Sequence, residues 1–125
     1  VMFNRYTEWS ADDIVFKAVY AEHSDESAIG VIIKFDDKKL YITGDTLYNS
    51  EIFCDLPNGI DIVFLPINGV GNNMNMHDGM RFCKKINPKF AVPMHCGLFD
   101  EIDMNKFQFE NKIVPEIYKE IEVKL

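Results

Sequence analysis

The sequence lacks long apolar segments, and this limits where the protein can reside. No stretch of the 125-residue chain approaches the roughly 20 uncharged apolar residues that cross a bilayer as a helix. The first residues, Val1-Met2-Phe3-Asn4-Arg5, also lack the basic region and apolar block of an export signal. We therefore expect a cytoplasmic protein with no membrane partner.

Basic residues and cysteines are also few. Lys and Arg number 13 against 20 Asp and Glu, and the net charge is −7. Nucleic-acid-binding domains concentrate Lys and Arg on one face, whereas here they are scattered, so no nucleic-acid partner is expected. The three cysteines, Cys54, Cys83 and Cys96, form no C-x-x-C motif, which argues against a disulfide framework and suits a reducing cytoplasm.

The chain does contain ample apolar material for a core. Hydrophobic residues make up 47% of the sequence, and the length fits a single domain spanning residues 1–125. The apolar pattern predicts a short helix over Ser50–Leu56 and a longer one over Met76–Ile86, which Asn75 can cap. It also predicts five strands, Ile14–Tyr20, Gly30–Phe35, Lys39–Thr43, Ile60–Ile67 and Lys89–Met94.

The connections between these elements predict the fold class. The polar loop Asp36-Asp37-Lys38 indicates a hairpin, and the strand, helix, strand order from Ile60 onward indicates a parallel pair. We therefore expect an α/β (α+β-like) fold, a mixed β-sheet with helices on one face. Near the chain ends, we expect a helix over Met104–Ile113 and a last strand over Ile117–Leu125. The end of a lid or of a linker is one interpretation of Trp9 and the residues before it, and the sequence does not decide it.

Three side chains that can bind metal follow predicted strands. His23 lies beyond Ile14–Tyr20, Asp45 comes after a strand and a glycine, and His95 directly follows Lys89–Met94. Strand ends are where open α/β sheets carry their chemistry, and imidazole and carboxylate groups bind zinc and manganese. Taken singly, a turn-forming Asp and a structural His are the commoner interpretations. Their shared context predicts an incomplete metal site, since zinc takes about four ligands and the chain supplies three.

A loop rich in amides follows the strand Ile60–Ile67. Asn68, Asn73 and Asn75 can donate hydrogen bonds to the oxygens of a small-molecule substrate, although turn formation is the commoner role for amides beside glycines. His77 falls in the first turn of the predicted helix, and we do not expect it to bind metal.

Several short motifs occur together between Val19 and Phe99. The sequence reads HSDESAIG at residues 23–30, YITGDT at 41–46, PING at 66–69, NMN at 73–75 and PKFAVPMHCG at 88–97. With this combination, the chain resembles the C-terminal half of a metallo-β-lactamase-fold hydrolase. The resemblance is greatest to the branch that contains the ascorbate-6-phosphate lactonases.

The resemblance implies a fold, a site and a reaction. The fold is an αββα sandwich of two similar halves with metals at the shared edge. Asp45 would match the carboxylate that bridges two divalent ions, zinc or manganese, while His95 would bind the second ion and His23 the first. Asp45 and His95 would then be catalytic. Metal-activated water would attack an ester or lactone carbonyl, such as that of a phosphorylated sugar-acid lactone, and phosphodiester hydrolysis is the alternative.

One part of the family pattern is absent from these 125 residues, namely the His-x-His-x-Asp-His cluster of the first half. We therefore expect a longer parent protein whose N-terminal half carries the other metal ligands, and we expect this chain alone to be inactive. The rival interpretation is a non-catalytic half-domain that acts as an assembly module. Both interpretations predict a homo-oligomer, because an uncovered apolar sheet face tends to find a partner.

Overall fold

Six strands form one mixed sheet in which neighbours in sequence are also neighbours in space. The computed structural model describes residues 2–96 and 101–125. The strands are β1 Glu8–Ala11, β2 Ile14–Tyr20, β3 Ile29–Phe35, β4 Lys38–Ile42, β5 Ile62–Pro66 and β6 Phe90–Met94. Strands β1 to β4 pair antiparallel, whereas β4, β5 and β6 pair parallel, so the predicted mixed sheet is confirmed.

Two helices lie in the connections between the parallel strands. Helix α1, Ile52–Asp55, connects β4 to β5, and helix α2, Met76–Ile86, connects β5 to β6. Asn75 caps α2 as predicted, because its Oδ1 accepts a hydrogen bond from the N–H of Asp78 at 2.9 Å. No helix in the described part of the chain is long and apolar enough to cross a bilayer.

The buried core lies on one face of the sheet. Ile32, Tyr41 and Val63 are cross-strand partners on β3, β4 and β5, and all three are fully buried. Phe82 of α2 packs on this face, with its ring centroid 6.2 Å from that of Tyr41. Ile52 of α1 belongs to the same cluster, so both helices contribute to the core on this face.

The second face of the sheet is apolar but less completely covered. Phe16, Ile33 and Leu40 are partners across β2, β3 and β4 and are only partly buried, as is Phe64 of β5. Ile42, beside them, is 38% exposed. Apolar sheet faces of this kind normally pack against another layer of structure.

Residues Glu8–Ala11 form β1, so Trp9 lies in a strand of the sheet and in neither a lid nor a linker. Trp9 is paired with Phe16 of β2, and the centroids of their rings are 5.5 Å apart. The strand was hard to predict because it has only four residues and three of them are exposed. Pairing with β2 determines its conformation.

Both predictions for the C-terminal segment are wrong. Only Met104–Lys106 is helical, as a single 3₁₀ turn, and residues 117–125 contain no strand. The segment 111–113 instead runs along the outer edge of β6, where the N–H of Ile113 donates to the carbonyl of Ala91 at 2.8 Å. An extended segment cannot continue a helix, and it occupies the edge that a further strand would need.

A buried carboxylate joins the parallel strands β4, β5 and β6 at their N-terminal ends. Asp61 precedes β5, and its side chain is 5% exposed. Its Oδ2 accepts the N–H of Lys39 at 2.8 Å, and its Oδ1 pairs with Lys89 Nζ at 2.6 Å. The hydrogen bond from Lys89 lowers the pKa of Asp61 below its ordinary value, although burial acts in the opposite direction. Asp61 therefore stabilises the sheet in its ionised form.

Asp61→Asn should destabilise the protein by about 1–2 kcal/mol near neutral pH, because it removes the charge that pairs with Lys89 and keeps an acceptor for Lys39. The folded-state pKa of Asp61 lies below the unfolded value, so its stabilisation is complete above about pH 4 and is lost as the pH falls through the folded-state pKa. Urea unfolding at about pH 7 and about pH 3 should show that the difference from wild type shrinks at the lower pH.

The matched control is Asp37→Asn, which changes an exposed carboxylate in the turn between β3 and β4. It should alter the free energy of unfolding little at either pH. A cost of Asp61→Asn that stays the same at both pH values would contradict a stabilising role for the ionised carboxylate.

Candidate metal centre

Four strands direct their C-terminal ends to the same edge of the sheet. Strands β2 and β4 are each antiparallel to β3, and β5 and β6 are parallel to β4, so all four share one direction. His23 follows β2, Asp45 follows β4 and His95 follows β6. The loops that carry the three predicted ligands therefore begin at one edge.

A tight backbone turn at Gly44 brings Asp45 to this edge. Gly44 has φ of 65°, in the left-handed region that glycine tolerates best. A Cβ atom at this position would lie 2.7 Å from the carbonyl oxygen of Ile29, which is too close for any other residue type. The close approach of this turn to the start of β3 thus fixes the residue before Asp45 as glycine.

Asp45 and His95 face each other at this edge. Asp45 Oδ1 lies 3.4 Å from His95 Nε2, and the two side chains are 47% and 40% exposed respectively. His95 has φ of 58°, a backbone conformation that costs a non-glycine residue about 1 kcal/mol or more. Strained residues concentrate at functional sites, and here the strain accompanies an imidazole and a carboxylate that solvent can reach.

His23 does not join this pair. Its Nδ1 accepts a hydrogen bond from the backbone N–H of Asp25 at 3.0 Å, so the ring is engaged within its own loop. Within residues 2–96 and 101–125, no three His, Cys, Asp or Glu side chains are placed to hold one metal ion. The structure thus brings two of the three predicted ligands together, and the ligand role of His23 stays a prediction.

The chemistry of the Asp45–His95 pair fits part of a divalent metal site. Zinc and manganese accept imidazole nitrogen and carboxylate oxygen ligands together. Zinc takes about four ligands, however, so the two facing side chains leave the set incomplete over the described ranges. The pair suits one portion of a metal centre and does not form a closed one.

The three predicted amide residues have different environments. Asn73 is only 5% exposed, and its Nδ2 donates to the carbonyl of Val70 at 3.0 Å and lies 3.4 Å from His95 Nδ1. Among the residues that the structure describes, its Oδ1 and that of Asn68 are buried without a hydrogen-bond partner. Asn75 is the cap of α2. Substrate binding by these amides stays a prediction, and the contact of Asn73 with His95 is a new observation.

Two residues that hold the loops together, Glu22 and Thr46, were not predicted from the sequence. Glu22 accepts hydrogen bonds from the hydroxyl of Tyr20 at 2.7 Å and from the side chain of Asn49, and both lower the pKa of Glu22. The N–H of Glu22 in turn donates to Thr46 Oγ1 at 2.8 Å. Their positions in the sequence could have indicated this role, because Glu22 and Thr46 are each directly next to a candidate ligand.

A family model described as a beta-lactamase superfamily domain matches residues 9–95. The match includes the strands β2 to β6 and both members of the Asp45–His95 pair. The chain belongs to this superfamily. Its mixed sheet, with polar loops at one edge, has the metallo-β-lactamase fold that the sequence motifs predicted.

Individual members of the superfamily match the chain over part of their length. A protein of Enterococcus faecalis named "UPF0173 metal-dependent hydrolase" is 33% identical over 88 residues, which cover 70% of this chain and 39% of that protein. The metallo hydrolase Igni18 of Ignicoccus hospitalis has a TM-score of 0.71 and 26% identity, over 84% of this chain and 49% of Igni18. The metallo-beta-lactamase fold protein YhfI of Bacillus subtilis shares the fold, with a TM-score of 0.69 and 15% identity over 88% of this chain and 50% of YhfI.

The chain thus spans less than half of the Enterococcus superfamily member and about half of the two solved proteins. It corresponds to one portion of a longer fold in each of them. Gly97 and Phe99, which belong to the stretch of motifs noted in the sequence, lie outside the described residues.

Gly44→Ala should destabilise the protein more than Gly59→Ala, which is the matched control. Both glycines have positive φ, 65° and 69°, so alanine is strained at both by about 1 kcal/mol. Only at Gly44 would the new Cβ meet backbone, since the nearest atom at Gly59 is the flexible Lys39 Nζ at 3.7 Å. We expect an excess cost of at least about 1 kcal/mol for Gly44→Ala in urea unfolding. Equal costs would show that Ile29 does not constrain the turn before Asp45.

Proposed function

We propose that the chain is the C-terminal half of a metal-dependent hydrolase in which His23, Asp45 and His95 contribute ligands to divalent ions. The observation that carries the proposal is the distance of 3.4 Å between Asp45 Oδ1 and His95 Nε2 at the edge where the loops meet. A carboxylate and an imidazole that solvent can reach are donors that divalent ions use. The names of the relatives, a metal-dependent hydrolase and a metallo hydrolase, support the same function.

Each histidine ligand must present an unprotonated ring nitrogen. In His95, Nε2 faces the carboxylate of Asp45 and Nδ1 faces the Nδ2 donor of Asn73, so the ring proton belongs on Nε2, and binding of a metal ion through Nε2 would displace that proton. In His23, Nδ1 already accepts the N–H of Asp25, and binding through either nitrogen requires that hydrogen bond to break. We infer that Asp45 and His95 already lie close enough to share an ion, whereas the loop of His23 must adjust before that residue can join them.

The proposed reaction is hydrolysis of an ester or lactone carbonyl. A divalent ion held by Asp45 and His95 would supply Lewis acidity and would make water a better nucleophile. Asp45 would contribute negative charge to the ion and His95 a nitrogen ligand, and the Nδ2 atom of Asn73 contacts the other nitrogen of the His95 ring. A phosphorylated sugar-acid lactone as substrate rests on the sequence resemblance to the lactonase branch. Hydrolysis of a phosphodiester is the alternative for the same type of site.

The remaining ligands are proposed to come from an N-terminal half. Two facing side chains are too few ligands for zinc. The match with this chain covers only about half of each of the two solved proteins. The partly buried residues Phe16, Ile33 and Leu40 of the second sheet face provide an apolar surface that such a half could cover. If the chain is instead a non-catalytic assembly module, a second copy would cover this face in a homo-oligomer.

Metal binding by the protein expressed from its complete reading frame tests the proposal. Asp45→Asn and His95→Ala should each weaken zinc or manganese affinity by more than about 100-fold. Removal of a side chain that only hydrogen-bonds to a ligand already lowers metal affinity about 10–100-fold, and removal of the ligand itself should cost more. Competition with a chromogenic chelator measures the affinity, and elemental analysis gives the metal and the number of ions per chain. Turnover of a chromogenic ester, lactone and phosphodiester on the same samples identifies the reaction.

His77→Ala and Asp37→Asn are the matched controls, because both residues are exposed and lie outside the proposed site. Both variants should keep the affinity and the activity of wild type. Wild-type metal affinity in Asp45→Asn and His95→Ala would refute the proposal. A wild-type protein that binds no metal and forms a stable oligomer would favour the assembly module.

A further inference from the structure

Thr46 is a fully buried polar residue that connects loops of the candidate site. Its Oγ1 accepts the N–H of Glu22 at 2.8 Å and donates to the carbonyl of Leu47 at 2.9 Å. Its own carbonyl oxygen accepts the N–H of Met74, also at 2.8 Å. Thr46 thus bonds to the loop after β2 on one side and to the loop after β5 on the other.

The first of these bonds lies between two candidate ligands. Glu22 directly precedes His23, and Thr46 directly follows Asp45, so the bond from the Glu22 N–H joins the two ligand loops one residue away from each ligand. The N–H of Leu47 also donates to the carbonyl of Glu22, at 2.9 Å. A shift of either loop would therefore break hydrogen bonds that are buried at Thr46.

The second bond leads towards His95. Met74, which donates to the carbonyl of Thr46, is fully buried and directly follows Asn73. The Nδ2 atom of Asn73 lies 3.4 Å from His95 Nδ1. Thr46 is therefore linked, through one further loop, to the residue that contacts the ring of His95.

We propose that Thr46 is a positioning residue that sets the relative placement of the His23, Asp45 and Asn73 loops and thereby raises metal affinity without touching the ion. This inference rests on the proposed function, because it concerns the same site. Metal affinity depends on how little the ligands must rearrange, and the groups that orient ligands contribute to it about 10–100-fold. Thr46 is suited to this role because its hydroxyl is buried and used both as a donor and as an acceptor.

Variants that remove or keep the hydroxyl of Thr46 distinguish an effect on the placement of the ligand loops from an effect on the stability of the whole protein. Thr46→Val keeps the shape of the side chain and leaves the N–H of Glu22 and the carbonyl of Leu47 without this partner. Thr46→Ser keeps the hydroxyl and should behave like wild type. Thr46→Ala, which cannot overpack the site, has the same expected effect as Thr46→Val and replaces it if that variant does not fold.

Thr43→Val is the matched control. Thr43 is also fully buried, and its Oγ1 donates to the carbonyl of the next residue, Gly44, at 2.7 Å. Within the described residues, that bond does not join a second loop. Thr43→Val therefore removes a buried hydroxyl from the same segment and leaves the connection between the ligand loops intact.

The experiment measures zinc affinity by chelator competition and the free energy of unfolding of the metal-free protein in urea, again on the product of the complete reading frame. Thr46→Val should weaken zinc affinity about 10–100-fold, whereas Thr46→Ser and Thr43→Val should stay within about threefold of wild type. Both valine variants should lose unfolding free energy. The visible absorption of the cobalt(II) form, which reports ligand geometry, should change in Thr46→Val and not in Thr43→Val.

Two results would overturn the inference: wild-type zinc affinity in Thr46→Val, or equal losses of affinity in Thr46→Val and Thr43→Val. Asp45→Asn, measured beside them, distinguishes the two levels of the proposal. If Asp45→Asn loses zinc and Thr46→Val does not, the positioning role alone is refuted. If Asp45→Asn keeps wild-type affinity, the proposed function is refuted, and the role of Thr46 with it.

Discussion

The shared direction of β2, β4, β5 and β6 is the constraint on which the candidate metal centre depends. Parallel pairing of the last three strands requires a crossover between each pair, and α1 and α2 lie in these crossovers. Asp61 holds the opposite end of the same strands through Lys39 and Lys89. A change of register between β5 and β6 would move His95 relative to both Asp45 and Asn73, because His95 directly follows β6.

Elements with a strong local pattern could be predicted from the sequence, and elements held by tertiary contacts could not. The apolar run Ile60–Ile67 contains β5, since a strand covered on both faces needs such a run. Asn75 marks the start of α2 for an equally local reason. In contrast, β1 depends on pairing with β2, and the helical spacing of Met104–Ile113 is overridden by the hydrogen bond of Ile113 to β6.

At the candidate site, the places of Asp45 and His95 after their strands could be predicted from the sequence, whereas the hydrogen bonds of the loop residues could not. Asp45 and His95 each follow a strand, and strands that share a direction bring such residues to one edge. The engagement of His23 with the N–H of Asp25, the burial of Asn73 and the hydrogen bonds of Thr46 all depend on loop conformation, which no short-range pattern encodes. The count of three candidate ligands indicated an incomplete site, and the resemblance to the superfamily added the expectation that an N-terminal half carries the remaining ligands.

The place of β6 at the edge of the sheet has a consequence for local opening. It pairs with β5 on one side and, among the residues that the structure describes, meets the short segment 111–113 on the other. Fraying of this edge would carry His95 away while Asp45 stays attached to the interior strand β4. An ion held by both side chains would have to leave first, so its binding energy would add to the cost of opening the edge. Amide hydrogen exchange in β6 would therefore report on whether an ion occupies the candidate metal centre.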